Sequence, residues 1–148
     1  MKKFIFLSLC MVLIALSTFA QTKGVSSFTS EANSTKIDTV VNATTKYQVL
    51  KAANSGDILT VQVTATKISG TTTGGIIRLY GSNDKVAWVR VKEGAALAAA
   101  DSLILTNVST PQTIVFTEKP GRYLWYRVAV LGAATSSTKF SSVAVNSR

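Results

Sequence analysis

From Lys36 onward the chain alternates between short β-branched or aromatic runs and clusters of Gly, Asn, Ser and Asp. Its clearest segment is "DILTVQVTATKI". Leu59, Val61, Val63 and Ala65 fall on one parity, and Thr60, Gln62, Thr64 and Thr66 on the other. Period-two alternation of this kind predicts a strand with one buried face and one wet face. Strands are expected near 37–42, 46–52, 57–68, 75–81, 86–92, 102–108, 112–118, 122–131 and 138–145. Glycines 70, 74 and 75 mark a turn in "SGTTTGG", and Pro111 and Pro120 sit where a missing N–H costs least. No segment shows a sustained 3.6-residue period, although "EGAALAAADS" has the composition of a helical turn. About nine short strands with regular turns read as an all-β, two-layer antiparallel β-sandwich of jelly-roll type.

The stretch "RLYGSNDKVAWVRV", residues 78–91, reads as a hairpin. Gly81, Asn83 and Asp84 are its turn formers. Strict alternation gives each flank two characters. Ile77 and Leu79 oppose Ile76, Arg78 and Tyr80; Ala87, Val89 and Val91 oppose Val86, Trp88, Arg90 and Lys92. In "RYLWYRVAVL", Leu124, Tyr126, Val128 and Val130 oppose Tyr123, Trp125, Arg127 and Ala129. The first set in each is a core face. The second sets mix aromatics with arginine, which makes Arg78, Tyr80, Trp88, Arg90, Tyr123, Trp125 and Arg127 the candidate partner-binding residues. Ring faces stack on sugars while guanidinium groups bond hydroxyls or acidic groups, and protein interfaces select the same composition. The opposite outcome is that both tryptophans lie in the core and arginine stems cover their edges.

The N-terminus has another pattern. Lys2 and Lys3 precede an apolar run from Phe4 to Leu16, and Thr18 and Ala20 are small residues at cleavage positions. This predicts a signal peptide over 1–20, and hence export to the periplasm, the exterior or a virion, with no membrane association after cleavage. Cys10 lies inside that apolar run. Residues 21–35 are rich in Ser, Thr and Asn and read as a flexible arm or a weak first strand, ahead of a single domain over 36–148. The 128 residues after Ala20 suffice for one core without disulfides.

Composition mainly excludes. The chain has no His, and its one Cys falls in the leader, so Ser-His, Cys-His and His/Cys zinc chemistry is absent from the expected mature chain. Glu31, Asp38, Asp57, Asp84, Glu93, Asp101 and Glu118 fall at predicted turns or strand ends. A carboxylate pair for glycoside hydrolysis is the remaining catalytic option, and turn chemistry accounts for these residues more simply. No cofactor, no metal and no enzymatic activity are expected. The net charge of +9 falls to +7 once Lys2 and Lys3 leave with the leader. That balance suits anionic surface polymers. The positive residues are scattered, and no nucleic-acid motif is present, so nucleic acid is not an expected partner.

Two resemblances follow from these pieces. "LSTFAQTK" resembles the export signals of Bacteroidetes proteins, and Asp38-Thr39-Val40 and Asp101-Ser102-Leu103 resemble their O-glycosylation signal. "LYGSNDKVAWVRV", "DSLILTNVST" and "RYLWYRVAVLGAATSS" resemble small signal-bearing β-sandwich proteins of Bacteroidetes and crAss-like phages. That resemblance implies a virion-associated structural or decoration protein that self-associates or contacts virion proteins, without catalytic residues. The same pieces are similar to discoidin-type domains, whose hairpin reads S-x-D-G-x-x-W. Here Lys85 stands where that family has Gly, between Asp84 and Trp88. The readings are therefore ordered: a non-enzymatic virion decoration protein first, a carbohydrate-binding module using the aromatic–arginine face second, and a small glycan-active enzyme last.

Overall fold

The computed structural model describes residues 24–52, 58–91, 102–118 and 123–147. The expected signal peptide, the expected helical turn, Lys92 and the carboxylates Asp57, Glu93 and Asp101 lie outside them. The described residues form eleven strands and no helix: β1 (Gly24–Ser27), β2 (Thr29–Ser30), β3 (Ile37–Val41), β4 (Thr45–Lys51), β5 (Ile58–Gly70), β6 (Ile76–Ser82), β7 (Val89–Arg90), β8 (Ser102–Ile104), β9 (Gln112–Glu118), β10 (Trp125–Leu131) and β11 (Ser136–Ser147). All pairings are antiparallel. One sheet runs β1-β11-β5-β9, with β3 also on β11; the other runs β2-β4-β10-β6-β7, with β8 also on β6. The all-β sandwich expected from alternation is the fold.

The core lies between the sheets. Leu59, Val61, Val63 and Ala65 on β5 are buried, as their parity requires, and Gln62 on the other parity is exposed. Phe116, Phe140 and Ala144 complete that layer; Ile77, Leu79, Tyr126, Val128 and Val130 face it from the second sheet. At about 25 cal/mol per Å² of apolar surface removed from water, these side chains supply the main drive for folding.

The stretch read as a flexible arm or a weak first strand is built into the sandwich as strand from Gly24 onward. β1 pairs with β11 in the first sheet and β2 pairs with β4 in the second. Phe28, between them, is fully buried. Its amide donates to the Ser142 carbonyl at 3.1 Å. The chain thus changes sheets at one aromatic residue. The Ser/Thr-rich composition concealed this, because edge pairing draws on backbone groups that any residue supplies. Asp38 secures the crossing, accepting from the Ser30 hydroxyl at 2.6 Å.

The expected strand over 86–92 is reduced to Val89–Arg90. Side chains take the amides that a ladder would need. The Asp84 carboxylate accepts from Val86 and Ala87, both at 2.8 Å, and the Ser82 hydroxyl accepts from Lys85 at 2.9 Å. Val89, expected in the core, is 55% exposed on this short edge strand, and Ala87 is exposed too. Gly81, read as a turn former, lies inside β6 instead. A Cβ there would stand 2.0 Å from the Tyr123 ring, so glycine makes room for that ring.

Replacing Phe28 by Ala is expected to lower unfolding stability by about 3–5 kcal/mol, the usual range for a buried Phe. Urea denaturation measures it. A loss under about 1 kcal/mol would mean that this segment is not part of the cooperative core.

Candidate functional site

β10 is the middle of the second sheet, hydrogen-bonded to β4 on one edge and β6 on the other. Its inward residues belong to the core, so Trp125, Arg127, Ala129 and Leu131 point to the outer face. Register then fixes their neighbours. Arg127 lies between Val49 and Tyr80, and Tyr80 pairs with Arg90. Ala129 lies between Tyr47 and Arg78, and Trp125 between Lys51 and Ser82. Cross-strand neighbours of this kind have Cβ atoms about 5 Å apart, close enough for large side chains to meet.

They meet around Arg127. Its guanidinium carbon lies 4.2 Å from the Trp88 ring centroid, 4.4 Å from that of Tyr47 and 5.7 Å from that of Tyr80. Each such contact is worth about 0.5–2 kcal/mol, depending on how dry it is. Arg78 joins these residues in lining an open depression of about 210 Å³. Both tryptophans are half-buried on the outer face. They are neither free platforms nor core residues: cations cover the Trp88 and Trp125 rings.

Trp125 forms a second station. The Lys85 amine lies 4.9 Å and the Lys51 amine 5.7 Å from its ring centroid. With Ser27, Thr29, Ser30 and Glu31 they line a wider depression of about 590 Å³. Lys85 reaches Trp125 from the hairpin tip, with a backbone φ of +63°. A non-Gly residue there costs about 1–2 kcal/mol, against about 0.5–1 kcal/mol for an exposed cation–π contact. Lys85 therefore adds a cation to this face with no net gain in stability over the glycine of the discoidin pattern.

Of the seven candidates, Arg78, Tyr80, Trp88, Arg90, Trp125 and Arg127 share the outer face; all but Arg90, which pairs with Tyr80 at its edge, line one of these stations. Tyr123 does not. β10 begins only at Trp125, so alternation cannot be extended back to Tyr123 and Leu124. Tyr123 instead packs on the core, edge-on to Tyr126 with ring centroids 6.0 Å apart, and Leu124 is 47% exposed. Tyr47, Lys51 and Lys85 were missed. In "TKYQVLK" the signal was present, since Tyr47, Val49 and Lys51 share a parity. The inward set Lys46, Gln48 and Leu50 is too polar to announce a core face. Gln48 is nevertheless fully buried, donating to the Lys36 carbonyl at 3.0 Å.

Three of the face's polar atoms have no acceptor among the described residues. The Nε atoms of Arg78, Arg90 and Arg127 are buried without a hydrogen-bond partner. Two carboxylates, by contrast, are engaged in loop geometry. Asp38 accepts from Ser30 and from its neighbour's amide, and Asp84 from Ser82, Val86 and Ala87. The Val86 amide, then the Ala87 amide and the Ser82 hydroxyl, hold the Asp84 carboxyl below its ordinary range, against a small opposing effect of burial. Among the described residues no group of three or more His, Cys, Asp or Glu side chains converges as a metal site would require.

No family model and no curated protein matches the sequence. Solved structures do match in fold. One is a CBM4 structure, with TM-score 0.50 and 11% identity, covering 88% of this chain and 81% of that one. Another is the enzymatically active domain of tailspike protein 4 from bacteriophage CBA120, with TM-score 0.51 and 9% identity. That match covers 88% of this chain but 20% of the tailspike chain. Identities this low establish a shared β-sandwich.

The folded pKa of Asp84 lies below its unfolded value. Its contribution to loop stability is therefore complete above the ordinary aspartate range and fades as pH falls through the lower folded value. In an NMR acid titration, the Val86 and Ala87 amide signals should hold below the ordinary aspartate range and then move together. Asp84→Asn should abolish that step. Titration at the ordinary aspartate pH would contradict these hydrogen bonds.

Proposed function

We propose that this chain is an exported, non-catalytic glycan-binding β-sandwich that takes its ligand on the outer face of the β2-β4-β10-β6-β7 sheet. The observation that carries the reading is the gathering of Tyr47, Tyr80 and Trp88 around Arg127 in an open depression. Aromatic rings give apolar area to sugar C–H faces, and a guanidinium gives fixed donors to ring oxygens. Tyr47 and Tyr80 sit on strands, and Trp88 ends a hairpin whose backbone is tied by Asp84 and Ser82, so their spacing is set before a ligand arrives, which lowers the ordering cost of binding. Fold similarity to a carbohydrate-binding module supports the same reading. Export rests on the leader pattern of residues 1–20.

The order of the sequence-based readings is thereby reversed. A virion decoration role becomes the second reading, supported by the fold similarity to part of a phage tailspike. Copurification with particles, retained when Trp88 and Tyr47 are both changed to Ala, would favour it.

A glycan array probed with the purified protein tests the first reading. Trp88→Ala and Tyr47→Ala are each expected to weaken retention about tenfold or more, as loss of an aromatic anchor does. Thr64→Ala, on the outer side of the opposite sheet, should leave it unchanged. Equal retention of the wild type and both aromatic variants would exclude this face as the site.

A further inference from the structure

We infer that the ligand is an acidic glycan, one bearing carboxylate or sulfate groups, read by the arginines of this face. The inference rests on the glycan-binding reading above. Three observations converge on it. The first is where the charge lies. Arg78, Arg127, Lys51 and Lys85 line the two stations and Arg90 pairs with Tyr80 beside them, whereas the described strands of the opposite sheet carry two lysines, Lys67 and Lys139, and otherwise turn Thr60, Gln62, Thr64, Thr113 and Val115 outward. There Thr64 and Thr113 bond each other across the strands at 3.2 Å. A basic surface kept for solubility alone would not favour one sheet.

The second is what the arginines lack. The Nε atoms of Arg78, Arg90 and Arg127 are buried without an acceptor, and no ion pair joins these residues to a carboxylate among the described residues. Leaving such a donor unpaired is unfavourable. A guanidinium that turns toward an incoming anion breaks no hydrogen bond to the described residues, because none is made to it among them. For Arg127 the stacked rings leave the guanidinium edge as the part that carries donors, and two parallel donors on one edge match the two oxygens of a carboxylate or sulfate. Neutral hydroxyls would use one donor at a time and leave the charge uncompensated.

The third is Lys85. It occupies a left-handed backbone position better suited to glycine and delivers its amine to Trp125. Its conformational cost offsets its cation–π gain, so stability alone does not select a lysine there. A cation beside the second ring has a use if the polymer carries negative charge along its length. Clustered cations repel each other, and an anionic ligand relieves this.

Biolayer interferometry on the purified protein tests the proposal. The probes are polygalacturonate, its methyl ester, chondroitin sulfate, neutral xylan and dextran, and single-stranded DNA. Polygalacturonate or chondroitin sulfate should bind about tenfold or more tighter than the ester and the neutral polymers. That binding should weaken about tenfold between about 0.05 and about 0.5 M sodium chloride. Arg127→Lys should lose about tenfold in affinity for the acidic probes, with its far-ultraviolet circular dichroism unchanged. The exposed double change Lys51→Gln and Lys85→Gln should lower affinity in the same direction without depending on the arginine cluster. Equal affinity for the acidic and neutral polymers would overturn the acidic assignment and leave the glycan reading standing. Binding of no glycan would overturn both. DNA binding as tight as the best glycan would reduce the face to a general polyanion surface and overturn the assignment.

Discussion

β10 is paired along both edges, and this constraint governs the molecule. Tyr126, Val128 and Val130 must face inward to close the core. With a side-chain period of two, Trp125, Arg127 and Ala129 must then face outward. A slip of one residue would exchange core and site together. The arrangement of the candidate site is thus held by the burial energy of the sandwich, not by contacts of its own. This explains how three arginine Nε atoms persist without acceptors: the cost is small beside that of moving the strand.

The outer face draws on four neighbouring elements. β4 supplies Tyr47 and Lys51, β6 supplies Arg78 and Tyr80, the 82–88 hairpin supplies Lys85 and Trp88, and β7 supplies Arg90. The hairpin is itself anchored twice. Asp84 and Ser82 fold its backbone, and Asn83 accepts the Leu124 amide at 3.1 Å at the entrance to β10. Its tip, which looks on sequence like a plain turn, thereby becomes the arm that brings a cation to Trp125. Strand rows set most of both stations, and the capped loop adds Trp88 to one and Lys85 to the other.

Sequence reading reached the fold and most of the face because alternation is strict where both sheets are buried. β5 and β10 show this best: Val61, Val63, Tyr126 and Val128 are all fully buried. It failed where alternation stops. Tyr123 precedes the strand, so parity assigned it to the wrong face, and Val89, though level with Gly81 and Tyr126 on the inward parity, stays exposed because its two-residue strand lies at the sheet edge. It failed again where polar residues turn inward, as Gln48 does on β4, which hid Tyr47 and Lys51. Phe28 shows a third kind of failure. One buried aromatic in a Ser/Thr-rich stretch has no periodic signal, yet it marks where the chain crosses between sheets.

The central claim is that both tryptophans of this chain sit half-buried in a cationic outer face. Tryptophan fluorescence quenching by iodide and by caesium at equal ionic strength measures this directly, because the two ions probe the same accessibility with opposite charge. With each ion's quenching constant taken relative to that for free N-acetyltryptophanamide, the account predicts quenching by iodide well in excess of quenching by caesium, with the difference shrinking as inert salt screens the face. Equal quenching by the two ions, or protection from both, would contradict it.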